Sequence, residues 1–141
     1  MLRVLVVEER QAVRDGLKRL LAAAGEITVV GETSGASEAA EMARRVDCDL
    51  LVLGVPLLCP EAIGSVQRLK LALPSLHVLA VGPAAGVDQA REAIAGGASG
   101  YLDISRARED LVKAVRAVCR GSVFVSAAAQ EAARRRAPAV R

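Results

Sequence analysis

Apolar positions recur along the chain in two alternating periods. Leu2–Val7 is a run of branched apolar residues that predicts a strand. From Arg10 the period turns helical, with Val13, Leu17, Leu20, Leu21 and Ala24 on one face and Gly25 as the stop. Ile27–Gly31 predicts a second strand. A second helix over Glu38–Arg45 follows, with Ser34 or Ser37 as cap and Ala39, Met42 and Val46 inward. Leu50–Leu53 is wholly apolar, as a strand covered on both faces should be. Gly54–Pro60 reads as an irregular connection. Glu61–Leu73 reads as a third helix, with Ile63, Val66, Leu69 and Lys70 at its period and Pro74 as stop. The remaining pattern gives a strand at Leu76–Val81, a turn at Gly82–Gly86 and a helix at Val87–Ala95 ended by Gly96 and Gly97. A short strand at Ser99–Leu102 and a helix at Arg106–Arg120 complete it. That fifth helix carries a wide apolar arc of Leu111, Val112, Val115, Val118 and Cys119.

Five strand–helix units in succession predict a (βα)5 chain. Right-handed crossovers then place one parallel five-stranded, doubly wound sheet between two helical layers. A ligand site in such a fold lies at the carboxyl ends of the strands. Here those ends are Glu8-Glu9, Gly31-Glu32, Gly54, Gly82 and Asp103. The globular domain is expected over residues 1–121. Residues 122–141 are expected to be an extension or linker, with a short extended piece at Ser122–Ser126 and then an Ala-rich helix.

Composition narrows the chemistry. The 141 residues suit one domain, and 52% are apolar, enough for a sizeable core. Aromatics are only 1%, Tyr101 and Phe124, which disfavours stacking platforms for single-stranded nucleic acid. The net charge of +3 comes entirely from residues 131–141, where Arg134, Arg135, Arg136 and Arg141 face one Glu131. The other 130 residues hold 15 basic and 15 acidic side chains, so the body offers no basic surface for DNA. Cys48, Cys59 and Cys119 show no paired spacing and read as a reducing compartment, with the cytoplasm as location. The apolar run at Leu50–Pro60 is interrupted by Gly54 and Pro56 and is too short to span a bilayer, so no membrane association is expected. One histidine, His77, excludes any site built on two. It begins the fourth strand, at the far end of the sheet from Cys59, so a Cys–His catalytic pair is not expected.

Glu8 and Glu9 are weak candidates for a hard cation, which wants several oxygens. An acidic pair is also simply favourable at a helix N-terminus. The third strand, which should supply a further oxygen, ends in Gly54.

The chain resembles the receiver domain of bacterial response regulators, in the branch with a LuxR- or NarL-type helix-turn-helix output. The stretches that carry the likeness are Leu2–Glu9, Val13–Leu17, Ile27–Glu32, Cys48–Leu53, Glu61–Ile63, Gly96–Leu102, Leu111–Val115 and Gly121–Ser126. The resemblance implies the flavodoxin-like, CheY-like three-layer sandwich and no enzyme activity. It also implies a phosphorylation pocket at particular positions, and these positions have lost the chemistry. The pair that would hold Mg²⁺ is Glu8 and Glu9. The phosphate-accepting aspartate falls at Gly54. The hydroxyl residue falls at Gly82. The lysine falls at Ile104, or at Asp103 if the register slips by one. Tyr101 matches the switch aromatic, but with Gly82 opposite it reads as an amphipathic residue on a half-exposed edge.

The reading is therefore a degenerate receiver that works by protein–protein contact, independently of phosphorylation, with an attached DNA-binding output. The alternative is a stand-alone adaptor. No cofactor, resident metal or obligate small molecule is expected. A homodimer is expected, on the fourth helix, fifth strand and fifth helix or on the first and fifth helices. Its surface is assigned to Leu111, Ala114, Val115, Ala117 and Val118. No helix-turn-helix is present, so specific DNA contact falls to a separate domain.

Overall fold

The computed structural model describes residues 1–54, 64, 67, 68, 70–83 and 87–125. Its strands are β1 (Leu2–Val7), β2 (Ile27–Thr33), β3 (Leu50–Gly54), β4 (His77–Gly82), β5 (Gly100–Asp103) and a two-residue β6 (Phe124–Val125). Its helices are α1 (Gln11–Ala22), α2 (Ala36–Arg45), α3 with described positions 64, 67, 68 and 70–72, α4 (Val87–Ala95) and α5 (Ala107–Cys119). All pairings are parallel, in the order β2-β1-β3-β4-β5-β6. This is the doubly wound α/β sheet with five principal strands; β6 extends its edge, so the sheet reaches past the boundary expected at residue 121.

The period-two alternation of β1 divides the core. Val4 and Val6 point to the side covered by α1 and α5, packing with Leu17, Leu21, Leu111, Val115 and Val118. Leu5 and Val7 point to the other side, with Ala39 and Ala43 of α2. β3, between β1 and β4, is buried along its whole length, as its uninterrupted apolar sequence requires.

Several boundaries differ from the sequence reading. β2 runs on to Thr33 because its partner β1 continues to Val7, opposite Thr33. The cap of α2 is Gly35, not Ser34 or Ser37, and no side chain caps it. Thr33 Oγ1 instead accepts the Gly35 N–H at 3.1 Å. Ala43 is the second buried residue of α2, while Met42 and Val46 are half-buried. α1 ends at Ala22, before Gly25, with the Ala23 N–H on the Arg19 carbonyl. Gly97 (φ 112°) and Gly121 (φ 88°) do act as helix stops, since their backbone angles favour glycine. The strand β5 shifts by one to end at Asp103. Its carboxylate Oδ1 accepts the Ser105 N–H at 2.9 Å and the Ser105 hydroxyl at 2.7 Å, shaping a 3₁₀ turn, Ile104–Arg106, ahead of α5.

The apolar arc of α5 is used by the sheet. Leu111, Ala114, Val115 and Val118 have no exposure at all. They cannot form the dimer surface assigned to them; only Ala117, which is half-buried, keeps an outward share. The connection at 55–60 with Cys59, the turn at 84–86, the Ala-rich segment and Arg134–Arg136 lie outside the described residues.

Candidate functional site

Parallel pairing brings the ends of β1, β3, β4 and β5 to one edge. Val7 pairs with Leu53, Gly54 with Val81, and Gly82 with Asp103. Glu8 follows β1 directly and its side chain is only 1% exposed. Its main chain is fixed from two directions. The Glu8 N–H donates to the Thr33 carbonyl at 3.0 Å, and the Glu8 carbonyl accepts from Arg14 Nη1 at 2.6 Å. Arg14 in turn donates through Nε to Glu32 at 2.9 Å, and Lys18 pairs with the same carboxylate. These two cations hold the Glu32 carboxyl below its usual range, Lys18 contributing more.

The Glu8 carboxylate lies over Gly54. A Cβ at position 54 would stand 2.6 Å from Glu8 Oε1 and 3.0 Å from its Cδ. The glycine is thus a matter of space: its φ lies outside the left-handed region. Both oxygens of Glu8 are engaged by Arg10. Oε2 accepts the Arg10 main-chain N–H at 2.7 Å and Nε at 3.3 Å; Oε1 accepts Nη2 at 2.9 Å. The hydrogen bond to Glu8 raises the guanidinium pKa further. Glu9, by contrast, is exposed, so only one of the two adjacent glutamates enters the pocket.

A magnesium ion of the kind the receiver resemblance implies does not fit this donor set. Its first carboxylate is saturated by a guanidinium, and Gly54 supplies no side-chain oxygen. Among the described residues no cluster of three or more His, Cys, Asp or Glu side chains could hold a metal.

The other positions fall as follows. Gly82 is buried at the end of β4. Ile104 is half-buried and packs against the α1–α5 side of the core. Asp103 is 3% exposed and occupied with Ser105. Tyr101 is fully buried among Ala80, Ala90 and Ala93, which corrects the half-exposed placement and removes it from any contact surface. Its hydroxyl donates to the Pro83 carbonyl at 3.0 Å, so its polar end is satisfied inside. Burial, with Asp103 nearby, pushes its pKa up to about 12.

Sequence reasoning missed Arg10 and Arg14. Their only signal is position: two and six residues after Glu8, across the junction from β1 into α1.

The model of the response regulator receiver domain family matches residues 4–116, and the chain belongs to that family, a signalling module. The nitrate/nitrite response regulator protein NarL of Escherichia coli (strain K12) is 28% identical over 89% of this chain. The chain spans 58% of that relative's length. A LuxR-family two-component response regulator from Aurantimonas sp. SI85-9A1 superposes with a TM-score of 0.85 at 30% identity, covering 95% of this chain and 96% of that one. The RcsB response regulator of Salmonella typhimurium shares the fold, with a TM-score of 0.81 at 18% identity over 93% of this chain and 66% of the other. Another RcsB structure shows two of its dimers bound to two parallel DNAs. No described helix is long and apolar enough to cross a membrane.

Proposed function

We propose that this receiver signals without aspartyl phosphorylation and controls transcription through protein–protein contact with a DNA-binding output domain. One observation carries the reading: the place of a phosphate acceptor is a glycine, and the space above it is filled by the Glu8 carboxylate. Covalent capture of a phosphoryl group needs a nucleophile with room for an incoming group. Gly54 has neither. Ile104 and Gly82 agree, since no cation or hydroxyl stands ready at those positions to receive a phosphate. An aliphatic residue is also the cheaper occupant where a buried cation would find no partner.

The link to transcription is supported by two relatives named as transcriptional regulatory proteins, LnrK of Bacillus subtilis (strain 168) and DegU of Brevibacillus brevis. Association with a second copy is part of the proposal. We assign it to the groove of about 550 Å³ between α1 and the start of α5. Val13, Leu20 and Ile104 supply apolar walls, and Arg19, Arg108 and Glu109 supply both signs of charge at the rim.

Incubation with acetyl phosphate and Mg²⁺, followed by intact-mass measurement, tests the central reading. The expected mass is unchanged. A stable single phosphoryl adduct in the pocket of residues 8, 9, 54 and 82 would overturn it.

A further inference from the structure

The reading of a phosphorylation-independent pocket leaves open what neutralises its buried carboxylate. We infer that Arg10 is the resident cation of this pocket and that its clasp on Glu8 shuts the site to divalent ions.

Glu8 is 1% exposed, so its charge sits where solvent cannot screen it. A carboxylate so placed requires a partner. In this chain the partner is covalently built in, two residues away. The clasp has three donors on two oxygens: the Arg10 N–H, Nε and Nη2. The main-chain donor matters most for permanence. Arg10 is the N-cap of α1 with extended backbone angles (φ −84°, ψ 114°), and that geometry turns its N–H back to Glu8. The guanidinium follows along the same side and remains charged at every accessible pH.

A divalent ion has little to offer against this. It would have to displace a charge-assisted pair from the one buried carboxylate, then find further oxygens. Gly54 provides no side chain, and Glu9 is exposed. Arg14 adds a second hold, because it occupies the Glu8 carbonyl at 2.6 Å. The same carboxylate thus does two things. It fills the volume above Gly54, and it binds a cation that needs no supply from solution.

The clasp makes a prediction separate from phosphorylation. Thermal melts with and without about 10 mM MgCl₂ are compared for the wild-type chain, Arg10→Ala, and Arg10→Ala combined with Glu8→Gln. Arg10→Met, which retains a stem for packing, is the substitute if Arg10→Ala does not fold. Wild type should show no shift, and Mn²⁺ should cause no saturable water-relaxation change. The Arg10 variant should gain about 4 °C with Mg²⁺, corresponding to millimolar binding at the freed Glu8 carboxylate, with the adjacent Glu9 and retained waters completing the shell. Adding Glu8→Gln should abolish the gain. A wild-type shift as large as the variant's overturns the clasp, and so does a folded Arg10 variant with no response. A gain that survives Glu8→Gln also overturns it, because the ion then binds elsewhere. Mg²⁺ binding by a wild-type protein that still refuses phosphate would sink this inference and leave the functional reading standing.

Discussion

Glu8 reaches from the end of β1 across the end of β3, and its reach decides what position 54 can hold. Gly54→Ala places a methyl group 2.6 Å from Glu8 Oε1, a contact that must be relieved by moving a carboxylate already tied to Arg10. Overpacking of this kind costs about 1–3 kcal/mol, so Gly54→Ala should lower the stability read by urea denaturation by that order. In a Glu8→Ala background most of the penalty should vanish, because neighbours that share a clash are non-additive. Additive costs would show that Glu8 is not the obstacle. Tyr101 offers a second test at this scale. Its folded pKa stands at about 12 against 10.0 for an unperturbed phenol. A group held in its protonated form gives stability that is full below the unfolded pKa and is lost as pH rises from 10 toward 12, about 2–3 kcal/mol in all. It is the only tyrosine in the chain, so tyrosinate absorbance reports it directly. Tyr101→Phe should remove this alkaline loss, and a phenol titrating near 10 in the folded protein would contradict the burial. What sequence revealed at this scale was absence: Gly54, Gly82 and Ile104 could be seen to lack the expected chemistry. The replacement could not be seen, because a contact between residues 8 and 10 at a strand–helix junction has no period. Nor could the burial of Tyr101, which comes from packing against Ala80, Ala90 and Ala93, with the Pro83 carbonyl satisfying its hydroxyl.

At the scale of the element, α5 shows how far periodicity goes. The spacing of Leu111, Val115 and Val118 identified a helix with one broad apolar face, and the helix is there. Spacing says nothing about what covers that face. The sheet does, together with α1, and all three residues have no exposure. Leu111→Ala should therefore act on folding, lowering stability by about 2–5 kcal/mol as buried leucine truncations do, and should change association only through unfolding. Arg108→Glu should do the reverse. Arg108 is exposed at the rim of the groove between α1 and the start of α5, and reversing the charge there should weaken self-association in sedimentation while the denaturation midpoint stays nearly unchanged. If Leu111→Ala weakens the dimer with stability intact, the placement of the arc against the sheet is wrong. The polar side of α5 is fastened separately, by the ion pair of Arg116 with Glu26 in the α1–β2 connection. That pair spans ninety positions of sequence and left no trace in the local pattern.

For the whole molecule, the alternation of strand and helix periods was enough to give the layers, because each strand must bury two faces and each helix one. The pattern also placed Glu8, Gly54, Gly82 and Asp103 at one edge of the sheet; what it could not give is that internal partners, Arg10 on Glu8 and Ser105 on Asp103, close that edge. On the proposed reading, a receiver whose pocket is filled by Glu8 has no second charge state to switch between. A ligand shifts an equilibrium only by binding one state better than another. A phosphodonor that finds no acceptor has no such preference. The association state should therefore be the same with and without acetyl phosphate and Mg²⁺. Sedimentation velocity from about one to one hundred micromolar, bracketing a micromolar-class dimer, should give superimposable distributions under the two conditions, with dimer present in both. A phosphodonor-dependent change in the monomer–dimer balance would mean that the pocket opens, that Glu8 leaves Gly54, and that the molecule retains the two states its filled site is here taken to have given up.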